Sequence, residues 1–475
     1  MAEINYLQTH PLYDMVAPTY QRNTDLYDGG ESVDGKMAAK KFLTQHPYEK
    51  DKQYGIRIVR AAYRNLAAPT VDLFSSSITN GIERVGIDDI PSFASMLRNC
   101  DRGGSSPDVF FKNVVTRSAA VGAEFVLVDM PQAHGQATTQ AEVAALGLSP
   151  YFVRIPAVDV ICWDYDEEGA LDWAVTKSVR KESSGPFTPF VDVVSVTLWT
   201  KTEWRRYTSH GGGSFDPDGE GSLFIGMVPL VPFLYEQDTP MTGRSVIDDV
   251  ARLIIRVFNQ DSELDKMLFD AALPLLAAFG LTEEDEEALT RATSSLWRFG
   301  DKDARLEYVE PSGTSFNAKR QQIQDDIESI REISLRQTKP KGAGIESAEA
   351  KRLDAVQISS QLADFARSAA ASERKCWEIA GRYLSVDQPK LDAISINYNE
   401  TFDPDSLREK LTSTYMELRG NGDISRETVW RQLGMTKEQI EEEKALLEEE
   451  GRAATGPSGN LASSITATLL RQGAT

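Results

Sequence analysis

Cysteine is scarce in this chain: Cys100, Cys162 and Cys376 are the three cysteines among 475 residues. They lie far apart and form no Cys-x-x-Cys pair, so their spacing argues against a disulfide framework and against a zinc site. Free cysteines at such low density are typical of a protein that folds in a reducing cytosol.

Histidine is almost as scarce, with four positions at His10, His46, His134 and His210. No two of them lie near each other in the sequence, and each directly precedes a proline or a glycine. The chain has no His-Glu-x-x-His motif, and no base with an orienting partner can be assigned. The sequence therefore predicts no catalytic residue.

Long hydrophobic runs are missing. No stretch of about 18 apolar residues occurs, so we expect no transmembrane helix and no membrane partner. The first residues, MAEINYLQTHPLYD, have neither a basic region nor an apolar one, so we expect no signal peptide.

Positive charge is in deficit, because 51 Lys and Arg residues face 72 Asp and Glu residues, for a net charge of −21. A free-standing nucleic-acid binder is normally basic, since its affinity comes from neutralising phosphates. The charge therefore argues against that class, although solubility alone also explains an acidic surface. At 475 residues the chain can bury a large core, and we expect two or more modules.

Hydrophobic periodicity predicts an α+β protein. Helices are predicted at residues 52–77 with an interruption at Pro69, 105–121, about 25 residues from Ser245, 316–335 and 347–384. The first of these carries apolar residues at helical spacing: Ile56, Val59, Ala62, Tyr63 and Leu66. Strands are predicted at residues 125–128, 151–163 with a break at Pro156, 171–180, 191–208 and 305–309.

Residues 227–276 hold the most informative pattern. A buried strand from Met227 to Phe233 is followed by turns at Pro240 and Gly243, and Ser245 is a suitable N-cap for a long helix. The apolar face of that helix is Ile247, Val250, Ile254, Val257, Phe258, Leu264 and Leu268. The opposite face is Arg252, Arg256, Asn259, Gln260 and Lys266. A helix of ~25 residues is about 37 Å long and needs a neighbour to cover it.

Two segments contain residues typical of a metal site or a phosphate loop, but the pattern of each favours a simple loop or turn. HGGGSFDPDGEG (residues 210–221) lacks the Gly-Lys-Ser/Thr of a phosphate loop and the final glutamate of a calcium loop, so a hairpin loop is predicted. The acidic cluster Asp164, Asp166, Glu167 and Glu168 lies between a strand and Gly169, which indicates a turn. We therefore expect no metal and no cofactor.

Each of two charged segments has two interpretations, one purely structural and one functional. The acidic run Glu283, Glu284, Asp285, Glu286 and Glu287 is either a solvated helix start or a docking surface for a basic partner. Residues 333–345 contain no acid but carry Arg336, Lys339 and Lys341, which is unusual in a chain of net charge −21. A variable linker and a loop that touches phosphates both explain those cations.

The order of several motifs resembles that of a divergent portal-like family of tailed phages. The motifs are HPLYDMVAPTYQRNTDLYDGG (10–30), GAEFVLVDM (122–130), YFVRIPAVDVICW (151–163), the segment 227–276, LEYVEPSGTSF (306–316) and GIESAEAKR (344–352). Ser347 stands where that family is expected to have threonine. The resemblance spans most of residues 10–450 and contains no catalytic motif.

The resemblance implies a portal fold with a mixed α/β wing, long stem helices, a small α/β clip and a helical C-terminal region. Its modules would be a wing (1–242), a stem helix (243–271), a clip (272–312), a second stem helix (313–335), a tunnel loop (336–346), a long wing helix (347–385), a wing edge or crown (386–450) and a flexible tail (451–475). Glu283 to Glu287 would then form the partner-docking clip, and Arg336, Lys339 and Lys341 would touch DNA in the tunnel loop.

The resemblance also implies a function without chemistry. A dodecameric ring at one capsid vertex would conduct double-stranded DNA, bound without sequence preference, during packaging and ejection. Its partners would be the major capsid protein, the terminase motor, and later head–tail adaptor and tail proteins. The subunit would reside in the virion, and in the host cytoplasm during assembly. An acidic wall would suit this function, since tight phosphate binding would stall moving DNA.

Two other functions stay open from the residues. One is another head–tail adaptor or internal virion structural protein. The other is a metal-dependent nuclease built on the strands of residues 151–181, which would need acids that converge at strand ends.

Overall fold

The computed structural model describes residues 4–131, 148–183, 185–271, 275–279, 305–309, 314–335, 348–400, 440, 441 and 444. The chain divides into two units, residues 1–400 and residues 401–475. Only three described residues fall in the second unit, so the architecture that follows is that of the first.

Helices occur throughout the first unit. They are α1 (Pro11–Asp28), α2 (Ala39–Phe42), α3 (Asp51–Arg60), α4 (Ala67–Thr79), α5 (Pro107–Val121), α6 (Asp248–Ala271), α7 (Thr314–Leu335), α8 (Ala348–Tyr383) and α9 (Gln388–Asp392). None of the helices in the described ranges combines the length and the apolar character that a membrane span requires.

Strands concentrate between residues 123 and 244. They are β1 (Glu83–Val85), β2 (Ala123–Asp129), β3 (Tyr151–Pro156), β4 (Val160–Tyr165), β5 (Leu171–Glu182), β6 (Val191–Thr200), β7 (Glu203–His210), β8 (Asp216–Ser222), β9 (Leu230–Leu234), β10 (Glu236–Thr239), β11 (Thr242–Arg244), β12 (Leu275–Phe279), β13 (Arg305–Val309) and β14 (Ser395–Asn397). The described pairs are antiparallel, and the mixture of helices and antiparallel sheets agrees with the α+β class expected from the sequence.

Two sheets organise the first unit. One has the order β3-β2-β9, and the other is a five-stranded meander of the order β4-β5-β6-β7-β8. A turn of 3₁₀ helix at Ala157–Asp159 carries the chain from β3 to β4. The predicted break at Pro156 is therefore confirmed, because it marks the point where one apolar segment leaves the first sheet and enters the second.

The main core lies between the three-stranded sheet and helices α5 and α8. Phe111 of α5 packs against Phe152 of β3 and Phe233 of β9, with ring centroids 5.3 and 5.8 Å apart. Trp377 of α8 meets Phe152 edge-to-face at 5.3 Å. Each of these four rings is at least 98% buried. Aromatic burial of this kind contributes strongly to stability and fixes α8 on the sheet.

The helix predicted at residues 52–77 is wrong in its continuity. Helix α3 ends at Arg60, and α4 begins at Ala67, so the break precedes Pro69, which lies in the first turn of α4, where proline is tolerated. The apolar stripe of α3 also differs from a core face, because Ile56 and Val59 are 48% and 68% exposed.

Two predictions for the five-stranded sheet need correction. Residues 191–208 form two strands, β6 and β7, because Lys201 and Thr202 make a turn between them. The loop predicted at residues 210–221 is a loop only to Phe215, since Asp216 to Ser222 form edge strand β8 paired with β7. The alternating glycines of this segment hid the strand, because they lack the side chains that mark a strand in sequence.

The long helices lie where the sequence places them. The predicted apolar face of α6 is buried from Ile247 to Leu264, and Leu268 is half-buried. The predicted polar face is wrong at two positions. Gln260 is buried, and Asn259 bonds the backbone of Phe42 and Thr44 in the segment after α2. A helix packed on two sides buries more than one stripe.

Candidate functional site

Helix α6, strands β12 and β13 and helix α7 follow one another along the described chain, and we call these four elements the arm. Arg256 of α6 pairs with Asp326 of α7 at 3.1 Å, and Glu263 pairs with Lys319 at 2.7 Å. The pair with the higher residue number on α6 has the lower residue number on α7, so the two helices are antiparallel. Strands β12 and β13 continue this arrangement, with Leu275 opposite Val309. At 24 residues, α6 is about 36 Å long.

The arm is anchored at Asp248, the first residue of α6. One carboxylate oxygen of Asp248 accepts hydrogen bonds from Arg22 at 2.9 Å and from Asn23 at 2.8 Å, both on α1. The other oxygen accepts from the backbone N–H of Ser245 at 2.8 Å. The Ser245 hydroxyl accepts from the N–H of Ile247 at 3.1 Å, so the pair forms a reciprocal cap of the helix start.

Backbone contacts reinforce this anchor. The Ser245 hydroxyl lies 3.1 Å from the carbonyl oxygen of Ala119 and 2.7 Å from that of Ala120, at the end of α5. The Tyr20 hydroxyl accepts from the N–H of Gly243 at 3.0 Å. Gly243 and Gly122 are packed so closely that a Cβ on either would meet the other's carbonyl oxygen at 2.6 Å. The helix start is thus fixed to the core from several sides.

Helix α7 contacts α6 through a narrow apolar stripe. Ile323, Ile327 and Ile330 are at most 3% exposed, and they follow the spacing of one helix face. Most of the other described α7 side chains are exposed: Ser315, Asn317, Ala318, Arg320, Gln321, Gln322, Gln324, Asp325, Glu328, Arg331 and Ile333. Two helices joined along one seam thus leave a long polar surface exposed.

A shallow groove lies where α3 crosses the second half of α6. Ile56, Asp265 and Phe269 are among the residues that line it, and the Arg60 guanidinium lies 4.2 Å from the centroid of the Phe269 ring. Beneath it, buried Arg57 pairs with Glu49 at 2.8 Å. The sequence pattern placed Ile56 and Val59 on one stripe but did not reveal that the stripe is exposed.

The site residues inferred from the sequence lie outside the described residues. This applies to Glu283, Glu284, Asp285, Glu286 and Glu287, and equally to Arg336, Lys339 and Lys341. Their roles in docking and in DNA contact therefore stay predictions. The structure describes the helices on either side of them, which end at Ala271 and Leu335 and begin again at Thr314 and Ala348.

The acidic cluster after β4 forms the turn that the sequence indicates. Asp166 accepts from the N–H groups of Glu168 and Ala170 at 2.9 and 2.8 Å, and it pairs with Lys201 at 2.5 Å. The hydrogen bond from Lys201 and those from the backbone lower the pKa of the Asp166 carboxyl. Across the described ranges, no group of three or more His, Cys, Asp or Glu residues is placed to hold a metal ion.

The histidines and cysteines that the structure describes have structural surroundings. His10 stacks on Trp163 with ring centroids 4.4 Å apart, and its Nδ1 accepts from the N–H of Leu12 at the start of α1. Burial raises the pKa of the Cys100 thiol to about 12 and raises that of Cys376 well above its usual range. Thiols held in the neutral form are poor nucleophiles.

The arm also lies within the segment that a known family model matches. A family model described as a domain of unknown function (DUF4055) matches residues 247–384, from the start of α6 to the end of α8. No curated protein matches the chain.

Two solved structures share a remote likeness with the chain. The first is a chain from the neck of an empty GTA (gene transfer agent) particle, computed with C6 symmetry. It has 13% identity and a TM-score of 0.41, and the match covers 78% of this chain and 90% of that one. The second is from the neck of a native GTA particle, computed with C12 symmetry. It has 13% identity and a TM-score of 0.39, and the match covers 85% of this chain and 99% of that one.

Proposed function

We propose that this protein is the portal subunit of a tailed phage, which forms a dodecameric ring at one capsid vertex and conducts DNA into and out of the head. The observation that carries the proposal is the anchored arm. Its two long helices meet along one seam and leave a polar surface that a single chain does not cover. The order of sequence motifs from His10 to Arg352, which resembles that of portal-like phage proteins, supports the same function.

A ring gives the arm a physical purpose. Twelve arms side by side would enclose a channel, with the polar faces of α6 and α7 turned to neighbouring arms or to the channel. The Asp248 anchor would fix each arm to the body of its subunit. The net charge of −21 suits a channel wall, because repulsion would keep moving DNA centred.

The proposed partners follow from the same ring. Residues 272–312 would form the clip that docks the terminase motor and afterwards the head–tail adaptor and tail proteins. The ring would sit in the virion against the major capsid protein after assembly in the host cytoplasm, and it needs no cofactor. Its function would be structural rather than enzymatic.

The acidic run of the clip provides a test of docking. Replacing Glu283, Glu284, Asp285, Glu286 and Glu287 with Gln or Asn should leave the ring intact and slow the association of terminase or adaptor in a salt-dependent way. Unchanged affinity and unchanged salt dependence in a binding assay would make the run a solvated face.

The cationic loop provides a test of DNA contact. Changing Arg336, Lys339 and Lys341 to Ser should spare folding, because exposed loops contribute little to the core. The DNA retained per filled head should fall, because the ring loses its concentrated phosphate contacts. Full-length, stably retained genomes in the triple variant would remove the loop from the mechanism.

The ring itself can be tested by imaging. Negative-stain electron microscopy of the purified protein should show round particles with a central hole and twelvefold views. Small globular particles without a hole would refute the portal function. Rings without an axial channel wide enough for duplex DNA would favour another head–tail adaptor.

A further inference from the structure

Residues 34–64, which include helices α2 and α3, form a lobe against helix α6. The backbone N–H of Tyr63 donates to the Asp34 carboxylate at 2.9 Å, which ties the two ends of the lobe together. The Asn259 side chain of α6 bonds the backbone of the segment that follows α2, which holds the lobe on the arm. We call residues 34–64 the basic lobe.

The charge of the basic lobe is opposite to that of the chain. The lobe contains eight basic and three acidic residues, a net charge of +5, whereas the whole protein carries −21. Its acids are engaged within the lobe. Glu49 pairs with buried Arg57 at 2.8 Å, Asp51 accepts from Gln45 at 3.0 Å, and Asp34 accepts from the backbone. The lobe therefore presents mainly positive charge to its surroundings.

Five of the eight cations are free to meet a partner. Arg57 is engaged with Glu49, and Lys41 and Arg64 pair with acids outside the lobe at 3.4 Å each. The other five are exposed, and within the described part of the chain none of them forms an ion pair: Lys36, Lys40, Lys50, Lys52 and Arg60. Such a group of unpaired cations in a strongly acidic chain points to an anionic partner.

The kind of cation favours nucleic acid over protein as that partner. Four of the five free cations are lysines, and lysine is depleted at protein–protein interfaces. As a flexible point charge, lysine binds phosphate without a fixed geometry. Duplex DNA carries one charge per about 1.7 Å of its axis, so scattered cations meet phosphates without a matched spacing.

An anionic membrane is the competing partner, because the lobe also exposes large apolar side chains. A helix that lies in a membrane surface needs a continuous apolar face. Met37 and Tyr48 lie outside the helices of the lobe, and α3 exposes Ile56 and Val59 as its large apolar residues. Two such residues do not make a continuous face, so duplex DNA fits the lobe better.

We propose that the basic lobe binds the phosphate backbone of duplex DNA without sequence preference. The inference rests on the proposed function, which supplies the DNA, and it adds a second contact to that of the cationic loop. The lobe packs on α6, whereas the cationic loop follows α7 in the sequence, so the two can be altered independently. Contacts to phosphates alone exchange readily with salt ions, so they would still allow DNA to move.

Binding of a fluorescent duplex of random sequence tests the site. Lys36→Gln/Lys50→Gln/Lys52→Gln removes three free cations and should spare folding, because the three side chains are exposed. Fluorescence anisotropy at low salt should show binding weakened at least about tenfold. The slope of log affinity against log salt should become shallower by about one for each lost phosphate contact.

The matched control is Lys112→Gln/Lys181→Gln/Lys390→Gln, which removes the same charge from exposed positions outside the lobe and should bind the duplex as the unmodified protein does. Circular dichroism verifies that both variants are folded. An unmodified protein that does not bind the duplex, or a lobe variant that binds it equally well, would overturn the site. Sedimentation of the unmodified protein tests the ring separately, so failure of the site and failure of the ring are distinguishable.

Vesicles of phosphatidylserine and phosphatidylcholine provide the competing arm of the experiment. The unmodified protein should bind the duplex more tightly than it binds these vesicles. Tighter binding to the vesicles, lost in the lobe variant, would assign the lobe to a membrane and overturn the DNA site.

Lysine acetylation followed by mass spectrometry gives a readout in the unmodified protein. Bound duplex should slow the acetylation of Lys36, Lys50 and Lys52 several-fold, because phosphates would cover their ammonium groups. Lys112 and Lys181 should react at the same rate with and without DNA. Unchanged rates at the three lobe lysines while the duplex is bound would place the DNA elsewhere and overturn the site.

Discussion

At the residue scale, the Asp248 carboxylate anchors the arm through three hydrogen bonds. The carboxylate serves Arg22, Asn23 and the N–H of Ser245, and the Asn23 side chain is fully buried. Removing the acceptor takes a partner from three donors at once and leaves the Asn23 amide with only a long contact of 3.5 Å to the carbonyl oxygen of Val121, which costs more than one hydrogen bond contributes on average.

We expect Asp248→Ala to lower the free energy of unfolding by about 2 kcal/mol, measured by urea denaturation. Asp249→Ala is the matched control, because the Asp249 side chain is 76% exposed and its pair with Arg244 is a surface one. It should change stability by less than about 0.5 kcal/mol. Equal effects of the two substitutions would show that the anchor does not fix the helix start.

The burial of Glu124 predicts an unusual dependence of the free energy of unfolding on pH. It lies on β2 and is 2% exposed, and its carboxylate accepts from Arg154 at 3.1 Å. Burial raises the pKa of Glu124 to about 8, against the opposing effects of Arg154 and Arg117. The unfolded chain releases this proton near pH 4.5, and the folded chain holds it until about pH 8. Between these values the unfolded state binds fewer protons, so stability falls as pH rises.

Glu124→Gln should remove this contribution. The variant should gain stability relative to the unmodified protein between about pH 5 and pH 8, by on the order of 1 to 3 kcal/mol, with no further gain above pH 8. Urea denaturation across that range measures the difference. Parallel stability curves would mean that Arg154 keeps Glu124 ionised in the folded state.

At the element scale, the seam of the arm should control the local stability of α7. Ile327→Ala removes buried methyl groups from a side chain that is 3% exposed, which should cost about 2 to 4 kcal/mol in the arm. Hydrogen exchange should then accelerate in α7 but not in the β3-β2-β9 sheet. Exposed Glu328→Ala is the control. Uniform loss of protection would show that arm and body unfold as one unit.

Hydrophobic periodicity predicted the helices of the arm, but it did not predict which residues around them are buried. Ile323, Ile327 and Ile330 repeat at helical spacing and are buried, because a single seam leaves a clean pattern. Gln260 is buried and Ile56 is exposed because their environments depend on how α3 crosses α6, which no local pattern encodes. Strand β8 was hidden by its glycines. The anchor escaped prediction because Asn23 and Asp248 lie 225 residues apart.

At the scale of the whole molecule, charge is unevenly distributed along the chain. The chain is strongly acidic, yet residues 50–64 are basic and the cationic loop contains Arg336, Lys339 and Lys341. In the proposed ring, acidic walls repel DNA and the loop cations touch it transiently. Each of these roles requires a closed oligomer.

The mass of the assembled particle shows whether the ring forms. Sedimentation velocity or native mass spectrometry over a range of concentrations should give one closed species of several hundred kilodaltons, twelve times the 52.6 kDa chain. A stable 52.6 kDa monomer at high concentration would refute the ring.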